Sequence, residues 1–338
     1  MRSFRRALLS ILCVLAILAA ATAAVLGLYY TTEYQTYTDS FLRRDLAGSV
    51  DLLVLGSSHA ENGVVPAVLD EELGVNSYNI SGWVMPMAAK RLLLEKELAR
   101  NPIRTVVIEI AYDTLSRSND EDFCEGDEAV IARLDTMGER LAYMRENLSL
   151  NQWADVYSRA MFRGAQVWLK MITGAPGLDR AAKGYFGKEA APLSLRPEEI
   201  GPAYQSEPFS ADTYRPENAA ILEEIVRLCR EAGAEPVVVT VPVSERFLWV
   251  TRGQDEFLGY MRDLCGRLGC PYWDFDLWRG RFDLLDDDTS FRDLTHLSDP
   301  GARAFTPVLA ACLREAPDPS LFFDSYAEAL EHSAYCER

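Results

Sequence analysis

Histidine is scarce in this chain. Among 338 residues there are three, His59, His296 and His332, so any reaction that needs a general base near neutral pH has few candidates. Positive charge is short as well: 34 Lys and Arg stand against 51 Asp and Glu, for a net charge of −17. With Arg2, Arg5 and Arg6 set aside, 31 basic residues face the same 51 acidic ones. That balance argues against a nucleic-acid partner, whose phosphates need compensating cations. The six cysteines beyond the N-terminal run (Cys124, Cys229, Cys265, Cys270, Cys312 and Cys336) match no zinc spacing. No metal and no cofactor is expected. Cys229 and Cys312 lie in apolar helical runs and read as buried free thiols. Internal repeats and low-complexity tracts are absent too, and Asp286-Asp287-Asp288 reads as a solvated loop rather than a calcium site.

What is present begins with an uncharged run of 26 residues, Ala7 to Thr32. At about 1.5 Å per residue it can cross a hydrocarbon core of about 30 Å. Arg2, Arg5 and Arg6 precede it, so the positive-inside rule predicts a cytoplasmic N-terminus, a single-pass anchor over residues 1–32 in the cell membrane, and an extracytoplasmic remainder. Ala21-Thr22-Ala23 resembles a cleavage site, which keeps secretion after signal removal as the alternative. The run continues through Val25, Leu26 and Leu28 to Tyr29 and Tyr30, an aromatic pair suited to the far interface, and this favours the uncleaved anchor.

Beyond the anchor, short β-branched apolar runs recur at Asp51–Leu55, Val75–Ile80, Thr105–Ile110, Pro236–Val243 and Pro271–Phe275. Helical patterns separate them at Ala67–Leu73, Met87–Ala99, Glu217–Ala232 and Gln254–Leu268. Strand alternating with helix predicts an α/β fold: a mostly parallel five-stranded sheet in a three-layer sandwich. Its expected extent is 33–113 and 211–315, with a helical tail over 316–338. The interruption, 114–210, opens as a polar loop from Ser116. It continues as helical segments at Glu128–Asn147 and Ser149–Ile172, with Trp153, Tyr157 and Met161 spaced as one buried face. An insertion of this size serves as a lid or partner surface, or as extra packing.

In open α/β sheets, sites form where strands end and helices begin. Gly56-Ser57-Ser58-His59 stands at the end of the first strand run, on a turn that would expose a serine hydroxyl and aim its own N–H at a developing oxyanion. Taken by itself, Gly-Ser-Ser is also an ordinary turn. A partner occurs in "FRDLTHLSDPGARAF", where Asp293 and His296 are three apart just before a helix opening near Asp299-Pro300. There a carboxylate can hold one ring nitrogen while the other faces a serine as general base. Phosphate binding at the Gly56–Ser58 turn lacks the glycine-rich loop and nearby lysine that such sites use.

These blocks resemble the SGNH (GDSL-like) hydrolase superfamily, in which a Gly-Asp-Ser block follows the first strand and an Asp-x-x-His block precedes the last helix. The resemblance covers about 51–113 and 234–313. It implies an SGNH/flavodoxin-like fold, Ser58 as nucleophile with Ser57 in the aspartate's place, and His296 and Asp293 completing the triad. Leu297 and Gly301 stand in familiar positions. Gly82 in "YNISGW" resembles the glycine whose N–H is the second oxyanion donor beside Ser58. The family's Gly-x-Asn-Asp block is replaced by Glu109-Ile110-Ala111-Tyr112-Asp113, which leaves Tyr112 or another group to substitute for the missing asparagine. Ser57, His59 and Trp83 are cleft candidates.

A Gly-Ser-Ser block with such a third strand is similar to the membrane-anchored branch used in cell-envelope acylation. The implied chemistry is an acyl-ester reaction on an envelope polysaccharide, teichoic acid or polyol. A membrane-bound acyltransferase is the implied partner. A non-catalytic module that kept the fold and binds a glycan or that partner is the alternative, favoured by the missing asparagine.

Overall fold

The computed structural model describes residues 2–31, 45–116, 125–175, 180–192 and 214–335; Cys124 and Cys336 lie outside them. Five short strands, β1 (Leu52–Leu55), β2 (Ser77–Asn79), β3 (Thr105–Glu109), β4 (Glu235–Thr240) and β5 (Tyr272–Asp274), form one sheet of order β2-β1-β3-β4-β5. Every pairing is parallel, with Val54 opposite Val107 and Val107 opposite Val237. Each strand lies within or close to the run the sequence predicts and is shorter than that run.

The helices follow in chain order. α1 (Arg2–Thr31) carries the apolar run. α2 (Ser58–Gly63) and α3 (Pro66–Leu73) follow β1, and α4 (Met87–Arg100) follows β2. After β3 come α5 (Glu125–Arg133), α6 (Met137–Asn147), α7 (Leu150–Thr173) and α8 (Pro216–Glu231). α9 (Glu245–Val250) and α10 (Gln254–Leu268) join β4 to β5, and α11 (Arg281–Leu284), α12 (Asp299–Arg314) and α13 (Tyr326–Leu330) close the chain. α3 starts with Pro66 at N1 and ends at Gly74 in the left-handed conformation, the punctuation expected of a short helix.

Side chains alternate across the sheet. Leu52, Val54, Val107, Val237 and Val239 meet Leu69 of α3 and Ala302, Phe305 and Leu309 of α12 in one cluster. Leu53, Leu55, Val106, Ile108 and Val238 point the other way and are equally buried, so the strands are covered on both faces. At about 1.5–3 kcal/mol for each large side chain, this burial is the main term holding the sheet.

The carboxyl ends of β3, β4 and β5 are tied by polar groups. Thr240 Oγ1 donates to the Ile110 carbonyl at 3.0 Å and lies 2.9 Å from the Tyr272 hydroxyl. Tyr272 and Tyr326 donate to Asp274 Oδ2 at 3.2 and 2.8 Å. Burial, followed by the negative charge of Asp276, pushes the Asp274 carboxyl up to about 7. An unfolded aspartate ionises near 3.9, so between about pH 4 and 7 the folded chain binds a proton the unfolded chain has lost, and stability falls as pH rises through that window. Asp274→Asn is expected to flatten this fall, because the amide does not titrate. Paired thermal melts at pH 5 and pH 8 measure it; equal pH slopes for wild type and variant would contradict the burial argument.

Two compact units are present: Met1–Asp45 with Ile131–Asp179, and Leu46–Val130 with Arg180–Arg338. The stretch expected as one insertion, 114–210, is therefore divided, and only its middle belongs with α1. The expected segment Glu128–Asn147 is broken by Leu134–Thr136. There Thr136 caps α6 through a reciprocal capping box with Glu139, which outcompetes a continuous helix. The polar loop is shorter than expected, since α5 begins at Glu125.

The face of α7 is also corrected. Val156, Ala160, Gly164 and Val167 are buried, Trp153 and Met161 are half-buried, and Tyr157 is exposed, with its hydroxyl 2.9 Å from Thr22 Oγ1. Small residues form the stripe because they allow close helix approach, which the aromatic spacing did not reveal. α1 contains the apolar stretch Phe4–Val25, with mean hydropathy 2.7, long enough to cross a membrane as a span or to serve as a signal sequence.

Asp287 departs from the solvated loop expected of it. It is buried and accepts the N–H groups of Glu245 and Arg246 at the start of α9. Cys229, Cys265, Cys270 and Cys312 are buried free thiols.

Candidate active site

β1 passes into α2 through two residues. Gly56 leaves the strand, Ser57 is the N-cap, and Ser58 is the first helical residue. Gly56 is required by close approach: a Cβ there would lie 2.6 Å from Glu109 Oε2 and 2.7 Å from the Ala60 Cβ. The turn is held from beneath, with the Ser57 N–H donating to Glu109 Oε2 at 2.6 Å and Ser57 Oγ accepting from the His59 N–H at 3.2 Å. Glu109 is fully buried at the end of β3, where the Lys90 ammonium donates to its carbonyl at 3.3 Å. The Ser58 N–H falls in the first helical turn, where amides have no intrahelical acceptor.

The second element is the loop 291–297. Its base is an antiparallel bridge between Phe291 and Leu297, both fully buried, with the Arg292 N–H donating to the His296 carbonyl at 3.0 Å. Asp293 Oδ1 accepts the N–H groups of Thr295 and His296 at 3.0 and 2.9 Å, so the carboxylate shapes the turn that carries the imidazole. The Leu294 carbonyl accepts both the N–H and the hydroxyl of Ser244, pinning the loop to the segment after β4.

These two elements bring Ser58, His296 and Asp293 into one line. Ser58 Oγ lies 2.7 Å from His296 Nε2, and His296 Nδ1 lies 2.8 Å from Asp293 Oδ1. A carboxylate can only accept, so Nδ1 carries the proton and the Nε2 lone pair is left for the serine hydroxyl. Burial works to raise the Asp293 carboxyl. The hydrogen bond and charge of His296, the Thr295 N–H and the Arg292 cation outweigh it and hold the group well below the usual carboxylate range. Asp293 is therefore an anion across the neutral range, the state that orients an imidazole. Ser58 is 8% exposed, so only a small part of the residue faces solvent.

The other predicted residues are placed differently. The Gly82 N–H donates to the Gly56 carbonyl at 3.3 Å, so the amide expected as second oxyanion donor is engaged within the protein. The Tyr112 hydroxyl donates to the Arg252 carbonyl and its ring packs edge-on against Phe257 at 5.6 Å, so that hydroxyl is engaged within the protein. His59 stands beside the site, its ring edge-on to His296 with centroids 5.0 Å apart. Trp83 is half-buried in the loop after β2.

Three residues at the site were not singled out from the sequence: Glu109 under the turn, Asn62 and Arg292. Their signals were present but generic. Asn62 is four residues after Ser58 and so shares its helix face, Arg292 adjoins Asp293, and Glu109 is a lone charge ending an apolar run. Among the described residues no cluster of three or more His, Cys, Asp or Glu is placed to hold a metal ion.

No protein-family model and no curated protein sequence matches this chain. The functional reading rests on the geometry and on the two motif blocks.

Proposed function

We propose that the chain performs serine-dependent acyl-ester chemistry as an SGNH-type esterase or O-acyltransferase. The observation that carries this reading is the Ser58–His296–Asp293 line, at 2.7 and 2.8 Å. Ser58 Oγ attacks an ester carbonyl as its proton passes to His296 Nε2. The tetrahedral intermediate collapses, the ester's alkoxide leaves with that proton, and an acyl group remains on Ser58. A second hydroxyl, delivered with His296 again as base, takes the acyl group: water makes the protein an esterase, a glycan or polyol makes it a transferase. The Ser58 N–H stabilises the oxyanion at once. Gly82 joins it only by giving up its bond to Gly56.

With α1 as a retained span and its arginines in the cytoplasm, the site faces the cell envelope. Polysaccharide or teichoic acid is then the acceptor, and a multi-spanning acyltransferase the donor partner. The parallel sheet of order β2-β1-β3-β4-β5 suits the three-layer sandwich of that superfamily.

The test uses the full-length protein in detergent with p-nitrophenyl acetate, with and without glycerol. A nitrophenol burst, acetyl mapped to Ser58 and acetylglycerol in the second case are the expected results for a transferase. Free acetate alone identifies an esterase. Absence of both burst and adduct would sink the catalytic reading. A non-catalytic, glycan-binding module has one observation in its favour: the Gly82 amide and the Tyr112 hydroxyl are both engaged inside the protein.

A further inference from the structure

The hydrogen bonds at Ser58 do not end at Asp293. Its second oxygen, Oδ2, accepts from Arg292 Nε at 3.1 Å. The same guanidinium reaches across with Nη1 to Asn62 Oδ1 at 2.9 Å. Asn62 Nδ2 donates to the backbone carbonyl of Ser58 at 2.6 Å. The circuit closes where it began: Ser58 Oγ, His296, Asp293, Arg292, Asn62, Ser58 carbonyl. We propose that Arg292 and Asn62 are positioning residues for the acyl-transfer reaction, holding the nucleophile's helix turn and the base's loop in register through this ring. The proposal rests on the acyl-enzyme reading and adds to it two residues with an assigned role.

Chemistry fixes the direction of every bond in the return arm. Arginine only donates, so Asn62 must turn its Oδ1 toward Arg292 and its NH₂ toward the carbonyl; the opposite amide orientation would set donor against donor and acceptor against acceptor. Asn62 is fully buried, so solvent does not replace these partners. Arg292 is suited because its fork serves two acceptors at fixed separation; a lysine ammonium is a point charge on a flexible stem. The arm also has a mechanistic use. Once Ser58 Oγ is acylated it no longer donates to His296, so that bond between α2 and the 291–297 loop is lost. The Asn62–Arg292 arm persists, keeping His296 placed for the second half-reaction.

The experiment compares full-length wild type, Arg292→Gln, Arg292→Lys, Asn62→Leu and the Arg292→Gln/Asn62→Leu double variant in detergent. It reads the second-order rate of fluorophosphonate addition to Ser58 and the far-downfield proton magnetic resonance of His296 Nδ1–H. Each single variant, Arg292→Lys included, is expected to react about tenfold or more slowly. The double variant is expected to fall within about twofold of the slower single one, because both substitutions cut the same ring. In Arg292→Gln the downfield proton is expected to shift or broaden; a role in stability alone would leave it in place.

If wild type labels but the single variants match it, the ring has no such role. Losses that multiply in the double variant with an unmoved downfield proton overturn the proposal equally, and in both cases the acyl-enzyme reading stands. If wild type itself does not label, that reading falls and this proposal falls with it.

Discussion

Replacing His296 with alanine is expected to slow acylation of Ser58 by an activated ester about a thousandfold or more at neutral pH. The hydroxyl of Ser58 is a poor nucleophile until its proton has somewhere to go, and His296 Nε2, 2.7 Å away, is the acceptor. Asp293→Ala is expected to cost less than His296→Ala, because the imidazole remains and only its tautomer and orientation are released. Four groups from its own loop hold the Asp293 carboxylate besides the imidazole: the Thr295 N–H and hydroxyl, the His296 N–H and Arg292. Removing it therefore also loosens the turn. Stopped-flow measurement of the nitrophenol burst orders the variants. A His296→Ala burst as fast as wild type would remove the imidazole from the mechanism.

Gly301→Ala is expected to be severe although it adds one methyl group far from any bond-making atom. A Cβ on Gly301 would lie 2.0 Å from the Ser290 carbonyl oxygen, 2.8 Å from its carbon and 3.0 Å from its Cα, all of them backbone atoms that no rotamer change can move. That carbonyl accepts the Ser298 N–H at 2.9 Å, and Ser298 Oγ in turn caps the Gly301 N–H at 3.2 Å. Together these bonds form the base of the loop that carries Asp293 and His296. The methyl must part them. A loss of about 3 kcal/mol or more is expected, seen as a melting temperature lower by about 5 °C or more. The burst from the remaining folded protein should fall as well. Unchanged melting and unchanged burst together would mean that α12 does not begin against Ser290.

Much of the frame could be read from residues alone, because strand ends and helix starts carry local chemistry. Apolar β-branched runs bounded by glycine and proline located all five strands, and the helical patterns at Ala67–Leu73 and Glu217–Ala232 begin one residue inside the observed helices. The two polar blocks could be paired because histidine is so scarce that His296 had little competition. The oxyanion side was not legible in this way. Gly82 and Tyr112 were singled out by position after strands two and three, but whether an amide or hydroxyl is free depends on which carbonyl folds next to it. Here those are Gly56 and Arg252, the second of them 140 residues from Tyr112. The Arg292–Asn62 link was hidden for the same reason, joining side chains 230 positions apart. The packing stripe of α7 is hidden in the sequence because aromatic spacing dominates its helical pattern, whereas alanine and glycine admit a neighbouring helix.

The most direct test of the central claim, that His296 activates Ser58, is covalent labelling of the full-length protein with a fluorophosphonate, mapped by peptide mass spectrometry. The account predicts a single adduct on Ser58, absent in Ser58→Ala and nearly absent in His296→Ala, with all three proteins folded. No adduct on folded wild type, or an adduct that persists undiminished in His296→Ala, would contradict it.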